Sequence, residues 1–219
     1  LALRGLVIND IEGIIIANVV PETSFNLINL CEKYFEIRPM VVGETEVDLG
    51  ITIDIDDPKE VGADRVVNAV AALDRYKGSL IVVDFGTATT FDVVDADGTY
   101  RGGVIAPGIN LSLEALYNAA ARLPRISISE TKTNESSIKT SNVIGKSTKA
   151  AMHSGIFWGY IGLIEGIVTR IKHEFARPMT VIGTGGLANI FYDSTDAIDH
   201  IDEDITVSYT HLTLPTSRS

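Results

Sequence analysis

Short apolar runs alternate with helical apolar patterns in the first part of the chain. Residues 13–20 are an apolar run that Pro21 ends, residues 27–34 repeat apolar side chains at helical spacing, and residues 39–42 are a second apolar run. A short run that is apolar on both faces is typical of a buried strand in a parallel sheet. We therefore predict a strand–helix–strand unit whose helix ends near Phe35, with Thr23 or Ser24 as its cap.

The next segment predicts an edge or loop strand at residues 50–55 and then a helix. Asp57 and Pro58, with a glutamate three residues after the aspartate, are typical of a helix start. Gly62 interrupts the pattern, and residues 63–76 continue as a helix with an apolar face. Three polar residues fall off that face near its first turn: Asp64, Arg65 and Asn68.

Residues 80–95 are the segment around which the chain is organised. Residues 80–83 are apolar and predict a buried strand, Asp84 stands at its end, and residues 86–90 form a turn rich in glycine and threonine before a second strand begins at Phe91. A carboxylate beside such a turn suits a phosphate and its cation, because backbone and hydroxyl donors face the anion. A plain β-hairpin is the alternative, since glycine and threonine are common in turns.

The rest of the pattern predicts a strand at residues 101–105, a helix at 111–123, a long helix at Thr148–Phe175, a strand at 179–182, a glycine turn and a helix from Leu187. Three consecutive antiparallel strands followed by a helix are typical of a ribonuclease-H-like domain. Polar residues 127–142 predict a surface loop. Gly102 and Gly103 predict either a bulge or a close approach of the backbone to a ligand.

Composition narrows the function classes. The 219 residues are 45% hydrophobic, which supports a proper core, and the net charge of -11 argues against nucleic acid as the main partner. Cys31 is the only cysteine, so the chain has no internal disulfide, and a reducing cytoplasm is the expected location. The apolar stretch 150–168 contains Glu165 and four glycines, which favours a helix of a folded core over a membrane span.

Two candidate site residues each leave an alternative open. Asp64 could complement the N-terminus of its helix, or it could be a general base facing a cleft. Arg65 could be a solvated charge, or it could bind a carboxylate or carbonyl group of a substrate. Residues 145–148 look like the end of a Walker loop, but Thr140 replaces the first glycine, so Ser147 or Thr148 is expected only to cap the helix.

Five motifs in order resemble the type III pantothenate kinases over about residues 11–205. They are EVGADR at 60–65, DFGTATT at 84–90, GGVIAPG at 102–108, IGKST at 144–148 and GTGG at 183–186. The resemblance implies an α/β fold with two ribonuclease-H-like domains of the actin-like ATPase superfamily. It also implies phosphorylation of pantothenate by ATP, the first step of coenzyme A synthesis, in a cytoplasmic homodimer that uses Mg²⁺ and a monovalent cation such as K⁺ or NH₄⁺.

The resemblance also implies roles for individual residues. Asp64 would accept the proton of the pantothenate hydroxyl, and Asp84 would bind the monovalent cation. The residues implied to contact pantothenate are Gly62, Ala63, Arg65 and Thr148, and Thr148 would do so across the dimer interface. The residues implied to contact ATP are Gly86, Thr87, Gly185 and Gly186.

Three departures from the family pattern qualify this expectation. No Asp-x-Gly-Asn-Thr phosphate loop precedes Gly13, Ile55 stands where the family carries a tyrosine that contacts pantothenate, and residues 207–219 do not match the family. We therefore expect residues 1–78 to be the remainder of the first domain, 79–206 to be the second domain and 207–219 to be foreign sequence.

These departures also keep other functions open. We expect the 219-residue chain alone to be weakly active or inactive. The alternatives are a non-catalytic binding or regulatory relative on the same fold, and another small-molecule kinase of the superfamily.

Overall fold

The computed structural model describes residues 7–43, 49–119, 123–126 and 142–206. The predicted tail at 207–219 and all but the last residue of the predicted loop at 127–142 lie outside these residues. The strands are β1 (Ile15–Ile16), β2 (Met40–Val41), β3 (Thr52–Ile53), β4 (Ser79–Phe85), β5 (Ala88–Val94), β6 (Thr99–Pro107), β7 (Met179–Thr184) and β8 (His200–Ile201). The helices are α1 (Pro21–Phe35), α2 (Ala63–Arg75), α3 (Ile109–Ala119), α4 (Thr148–Phe175) and α5 (Ala188–Tyr192).

A six-stranded sheet carries the candidate site. Its strand order is β3-β6-β5-β4-β7-β8. β4, β5 and β6 are antiparallel neighbours, whereas β7 and β8 run parallel to β4. The predicted three consecutive antiparallel strands followed by a helix are therefore confirmed, and the α/β fold class agrees with an actin-like ATPase domain.

Both faces of this sheet are buried. Successive side chains of a strand point to opposite faces, so Ile81 and Val83 pack with α3, α4 and α5, whereas Leu80 and Val82 pack with α2. This two-sided burial explains why residues 80–83 are apolar without alternation. β3 and α2 precede residue 78 yet contact this sheet. The domain boundary at that residue remains a prediction.

The first strand–helix–strand unit is confirmed, with one correction. β1 pairs with β2 in parallel, and α1 connects them. The helix begins at Pro21 rather than after Thr23 or Ser24, because proline has no backbone N–H and its fixed φ suits the first helical position. The Thr23 hydroxyl donates to the Val20 carbonyl instead of capping the helix.

The long helix α4 has the predicted bounds, and the side chain of Ser147 caps it by accepting from the Ala150 N–H. Within the described part of the chain, no helix is long and apolar enough to cross a membrane.

Candidate active site

The β4–β5 turn forms one wall of the site. Gly86 and Thr87 are exposed at its tip, and the Gly86 N–H donates to the Ala88 carbonyl at 3.0 Å. Gly108, at the junction of β6 and α3, closes on the turn and donates its N–H to the Thr87 carbonyl at 3.1 Å. A Cβ on Gly108 would collide with that carbonyl and lie 2.7 Å from the Gly86 oxygen. The glycine at residue 108 therefore allows the close packing that fixes the turn.

Asp84, the second-last residue of β4, is half-buried behind this turn. Its Oδ2 atom accepts from the Asn68 side-chain amide at 2.9 Å. The Asn68 carbonyl oxygen accepts in turn from the Thr206 hydroxyl at 2.6 Å. Burial raises the pKa of Asp84, the Asn68 hydrogen bond opposes this, and the negative charge of Asp64 raises it further. The two carboxylates predicted for the site, Asp64 and Asp84, therefore interact electrostatically.

The glycine turn after β7 meets Asp84 from the other side. Asp84 pairs with Thr184 in the parallel register of β4 and β7, so the turns that follow both strands lie at one edge of the sheet. Gly185 has a φ of +86°, and a Cβ there would lie 2.6 Å from Asp84 Oδ1. The same Cβ would lie 2.9 Å from the backbone nitrogen and oxygen of Phe85. Because residue 185 is a glycine, the space next to Asp84 Oδ1 is not filled by a side chain of that residue.

The first turn of α2 supplies the third element of the site. Gly62 is the N-cap, and a Cβ on it would lie 2.5 Å from Asp64 Oδ1. Asp64 itself is exposed, and its Oδ1 accepts from the Arg65 backbone N–H at 2.9 Å. The alternatives for Asp64 remain compatible, since a carboxylate at a helix N-terminus can also face a cleft.

Arg65 is held inward. Its Nε donates to Asp92 Oδ1 at 2.7 Å, and the Asp92 side chain is 0% exposed, against 16% for Arg65. The interpretation of Arg65 as a solvated surface charge is therefore wrong.

The structure brings most of the predicted site residues to one end of the sheet. The members of this group are Gly62, Ala63, Asp64, Arg65, Asp84, Gly86, Thr87, Gly185 and Gly186. Thr148 is different, because it is exposed at the start of α4. Tyr160, twelve residues later in α4, bonds the Pro107 carbonyl beside Gly108. Because an α-helix rises 1.5 Å per residue, Thr148 lies about 18 Å from that contact along the helix axis.

Sequence reasoning missed the partners of these residues. Asn68 is 1% exposed and Asp92 is 0% exposed, but the sequence pattern predicts a role for neither. A signal existed for both. Asn68 lies one turn after Asp64 and Arg65 on the same helix face, and Asp92 is a charge inside the apolar strand β5.

A cavity of about 500 Å³ adjoins the first turn of α2. Gly62, Ala63 and Val66 line it from the helix side, and the other lining residues come from the segments around β1, β2, β3 and the turn before α2. Its size suits a small organic molecule. Within the described residues, no group of three or more His, Cys, Asp or Glu side chains could hold a metal ion.

Comparisons with known proteins identify the family. The family model described as type III pantothenate kinase matches residues 2–170. A type III pantothenate kinase of Rhodospirillum rubrum is 59% identical over 207 residues, which cover 94% of this chain and 77% of the relative. One of Paramagnetospirillum magneticum is 58% identical over 207 residues, covering 94% and 76%.

A solved structure supports the fold. A protein of Campylobacter jejuni, described as a conserved putative Baf family transcriptional activator, has a TM-score of 0.61 and 20% identity, covering 94% of this chain and 86% of its own. At that identity the likeness concerns the fold alone. The family match and the curated relatives together show that this chain belongs to the type III pantothenate kinases.

Proposed function

We propose that the protein transfers the γ-phosphoryl group of ATP to the primary hydroxyl of pantothenate, the first step of coenzyme A synthesis. The observation that carries this proposal is the arrangement around Asp84. The exposed carboxylate of Asp64 lies near enough to raise the pKa of Asp84, which borders the glycine turns after β4 and β7. In a chain of this family, this arrangement supports a base and two phosphate-binding turns at one edge of the sheet.

Asp64 is the general base. A hydroxyl nucleophile needs a base within hydrogen-bond reach, and an exposed carboxylate can accept a proton from a bound alcohol. The Arg65 N–H holds one carboxylate oxygen, Oδ1, in a defined orientation. The other oxygen is then available to the pantothenate hydroxyl. Gly62 and Ala63 line the adjoining cavity, so a substrate bound there would lie next to residue 64 in the chain.

The two turns bind ATP. Thr87 is exposed and offers its hydroxyl as a donor to phosphate. Gly185 lets the second turn pack closely on Asp84, and the open space beside Gly186 admits the nucleotide. Phosphoryl transfer depends mainly on positioning and on electrostatic stabilisation of the phosphate oxygens. Mg²⁺ bound to the ATP phosphates would supply part of that positive charge.

Asp84 is the ligand for a monovalent cation, K⁺ or NH₄⁺. Asn68 holds its Oδ2 atom, while Oδ1 faces the space that a Cβ on Gly185 would fill. Among the described residues, no Lys or Arg forms an ion pair with this carboxylate. The oxygen is thus suited to a hard cation, which would add positive charge beside the phosphates.

A homodimer completes the pantothenate site through Thr148. Glycines on α4 leave one face of the helix open among the described residues, because a Cβ on Gly155, Gly159 or Gly162 would meet nothing within 4 Å. A second subunit packed on this face would bring its own Thr148 toward the site. We expect the enzyme in the cytoplasm, where the buried thiol of Cys31 stays reduced.

The test is transfer of labelled phosphate from ATP to pantothenate, measured with enzyme in excess so that slow turnover is detected. We expect pantothenate-dependent transfer that Asp64→Asn lowers by about 10²–10⁴-fold. Asp74→Asn is the matched control, because Asp74 is an exposed aspartate on the same helix. Pantothenate binding without transfer would instead support the non-catalytic relative, and transfer to another alcohol would support a different kinase.

A further inference from the structure

Arg65 is surrounded by a buried cluster that the proposed chemistry does not use. The cluster consists of Asp92, Thr90 and Tyr100, which lie on β5 and β6 beneath the first turn of α2. Asp92 Oδ1 accepts from Arg65 Nε and from the Tyr100 hydroxyl, both at 2.7 Å, and Oδ2 accepts from the Thr90 hydroxyl at 3.1 Å. Both oxygens act as acceptors, which is the pattern of an ionised carboxylate.

Tyr100 contacts the guanidinium as well as the carboxylate. The Arg65 Cζ atom lies 5.9 Å from the centre of the Tyr100 ring, within the range of a cation–π contact. The tyrosine is 1% exposed, so its ring and hydroxyl have little freedom to move. Burial and the charge of Asp92 raise the pKa of Tyr100, so its hydroxyl remains a donor at neutral pH.

Gly103 closes the cluster from β6. A Cβ at this position would collide with the Phe91 carbonyl and lie 2.8 Å from Arg65 Nη2. The predicted close approach at this glycine is therefore made by strand β5 and an arginine, not by a ligand. The predicted bulge is also present, because the β5–β6 register shifts between Asp92 and Val94 and Gly102 has a φ of +98°.

The orientation of the guanidinium follows from these contacts. Nε bonds Asp92, and Nη2 lies 2.7 Å from the same oxygen but forms no hydrogen bond in the buried cluster. Because the guanidinium is planar, an Nε–Nη2 edge turned toward Asp92 directs the Nη1 donors away from it. A fixed guanidinium with free donors suits a carboxylate, which it can bind with charge-assisted hydrogen bonds.

We propose that Asp92, assisted by Tyr100, is a positioning residue that fixes Arg65 to bind the carboxylate of pantothenate. This inference rests on the proposed function, because it takes pantothenate as the ligand. Asp92 does not touch the substrate. It sets the orientation of the arginine that does, and it supplies the buried counter-charge that keeps that arginine in place.

The experiment is calorimetric titration of the full chain with pantothenate and with its neutral alcohol analogue, in which a hydroxymethyl group replaces the carboxylate. Asp92→Asn keeps the shape of the side chain and removes its charge. We expect it to weaken pantothenate binding roughly tenfold, the effect of weakening one charge-assisted contact, and to leave the affinity for the analogue within about twofold.

Two further variants guard against a purely structural effect. Tyr100→Phe removes one hydroxyl from the cluster without removing a charge, so it tests the proposal if Asp92→Asn does not fold, and we expect a selective loss of about threefold to tenfold. Asp95→Asn is the matched control. Asp95 is a buried carboxylate that follows the same strand, but its cationic partners are Arg177 at 2.9 Å and Arg101 at 3.6 Å rather than Arg65. It should leave both affinities unchanged.

The outcomes separate the two proposals. If the wild-type chain binds neither ligand, the proposed function fails and this inference fails with it. If the wild-type chain binds pantothenate and the Asp92 and Tyr100 variants bind it equally well, the positioning role alone is overturned. Equal weakening for both ligands would overturn the assignment of Arg65 to the carboxylate.

Discussion

Two aspartates on neighbouring strands face the same helix, but they differ in burial and in the charge of their partners. Asp84 on β4 and Asp92 on β5 are two residue pairs apart in the antiparallel register, and both contact the first turns of α2. Asp92 is fully buried against the cation Arg65. Asp84 is half-buried against the neutral amide of Asn68.

This difference shows how one helix can serve two purposes. A buried carboxylate is costly unless it is paired, so the chain supplies Asp92 with its own counter-charge. Asp84 receives a hydrogen bond but no arginine or lysine among the described residues, and the charge of nearby Asp64 adds repulsion. The first arrangement fits a structural and positioning role, and the second leaves a charge for a cation from outside.

The largest expected effect is a contrast in stability between the two asparagine variants. Asp92→Asn leaves the largely buried Arg65 without its counter-charge, so we expect the free energy of unfolding to fall by about 3 kcal/mol, the lower end of the range for a buried ion pair. Asp84→Asn removes a charge that has no cationic partner, so we expect a change within about 1 kcal/mol. Urea unfolding in the absence of potassium measures both. Equal losses would remove the distinction between the two sites.

The next effect tests the space beside Asp84. Gly185→Ala forces a side chain onto a residue with φ of +86° and places its Cβ 2.6 Å from Asp84 Oδ1. We expect a loss of about 1–3 kcal/mol in stability together with weaker ATP binding. Gly186→Ala is the control for the loss of stability, because a Cβ there would meet nothing within 4 Å. A tolerated Gly185→Ala would show that the turn is not tightly packed on the carboxylate.

The pH dependence of stability gives a smaller effect. Because burial raises the pKa of Asp84 above its ordinary value of 3.8, the folded protein holds this proton more tightly than the unfolded chain. The stabilisation that comes from this tighter proton binding is fully present below pH 3.8. It is lost as the pH rises through the pKa that Asp84 has in the folded protein. We therefore expect Asp84→Asn to gain stability relative to the wild type as the pH rises from 4 toward neutrality. Thermal melting in this range measures the difference, and a constant difference would contradict the raised pKa.

The smallest effect concerns the second partner of Asn68. Thr206→Val removes the hydroxyl that donates to Asn68 Oδ1 at 2.6 Å. We expect a loss of about 0.5–1.5 kcal/mol, because one net hydrogen bond disappears and Asn68 keeps its bond to Asp84. Chemical denaturation detects a change of this size. A loss as large as that of Gly185→Ala would mean that Thr206 orients the whole contact.

The sequence predicts the elements of the sheet well for a physical reason. Residues 80–83 are buried on both faces, so their apolar run has no competing interpretation as a surface strand. The order of motifs also predicts that the glycine turns and Asp64 belong to one site. The start of α1 is less predictable, because Pro21 and Thr23 are both acceptable near a helix N-terminus and only the backbone decides between them.

The partners in the site are harder to predict because they come from distant parts of the chain. Arg65 and Asp92 are separated by 27 positions, and Thr206 and Asn68 by 138. Periodicity places each residue on a face of its own element but does not say which element packs against that face. The close approach to Gly103 shows the same limit, since the pattern could not distinguish a ligand from the side chain of Arg65.

The role of Asp84 as the cation ligand is tested most directly by the potassium dependence of phosphoryl transfer to pantothenate, measured in the wild type and in Asp84→Asn. If Asp84 is the carboxylate that the fold leaves for a cation, potassium raises the wild-type rate, while the variant stays at the potassium-free rate at every concentration. A variant that responds to potassium as the wild type does would show that the cation binds elsewhere and would contradict the account.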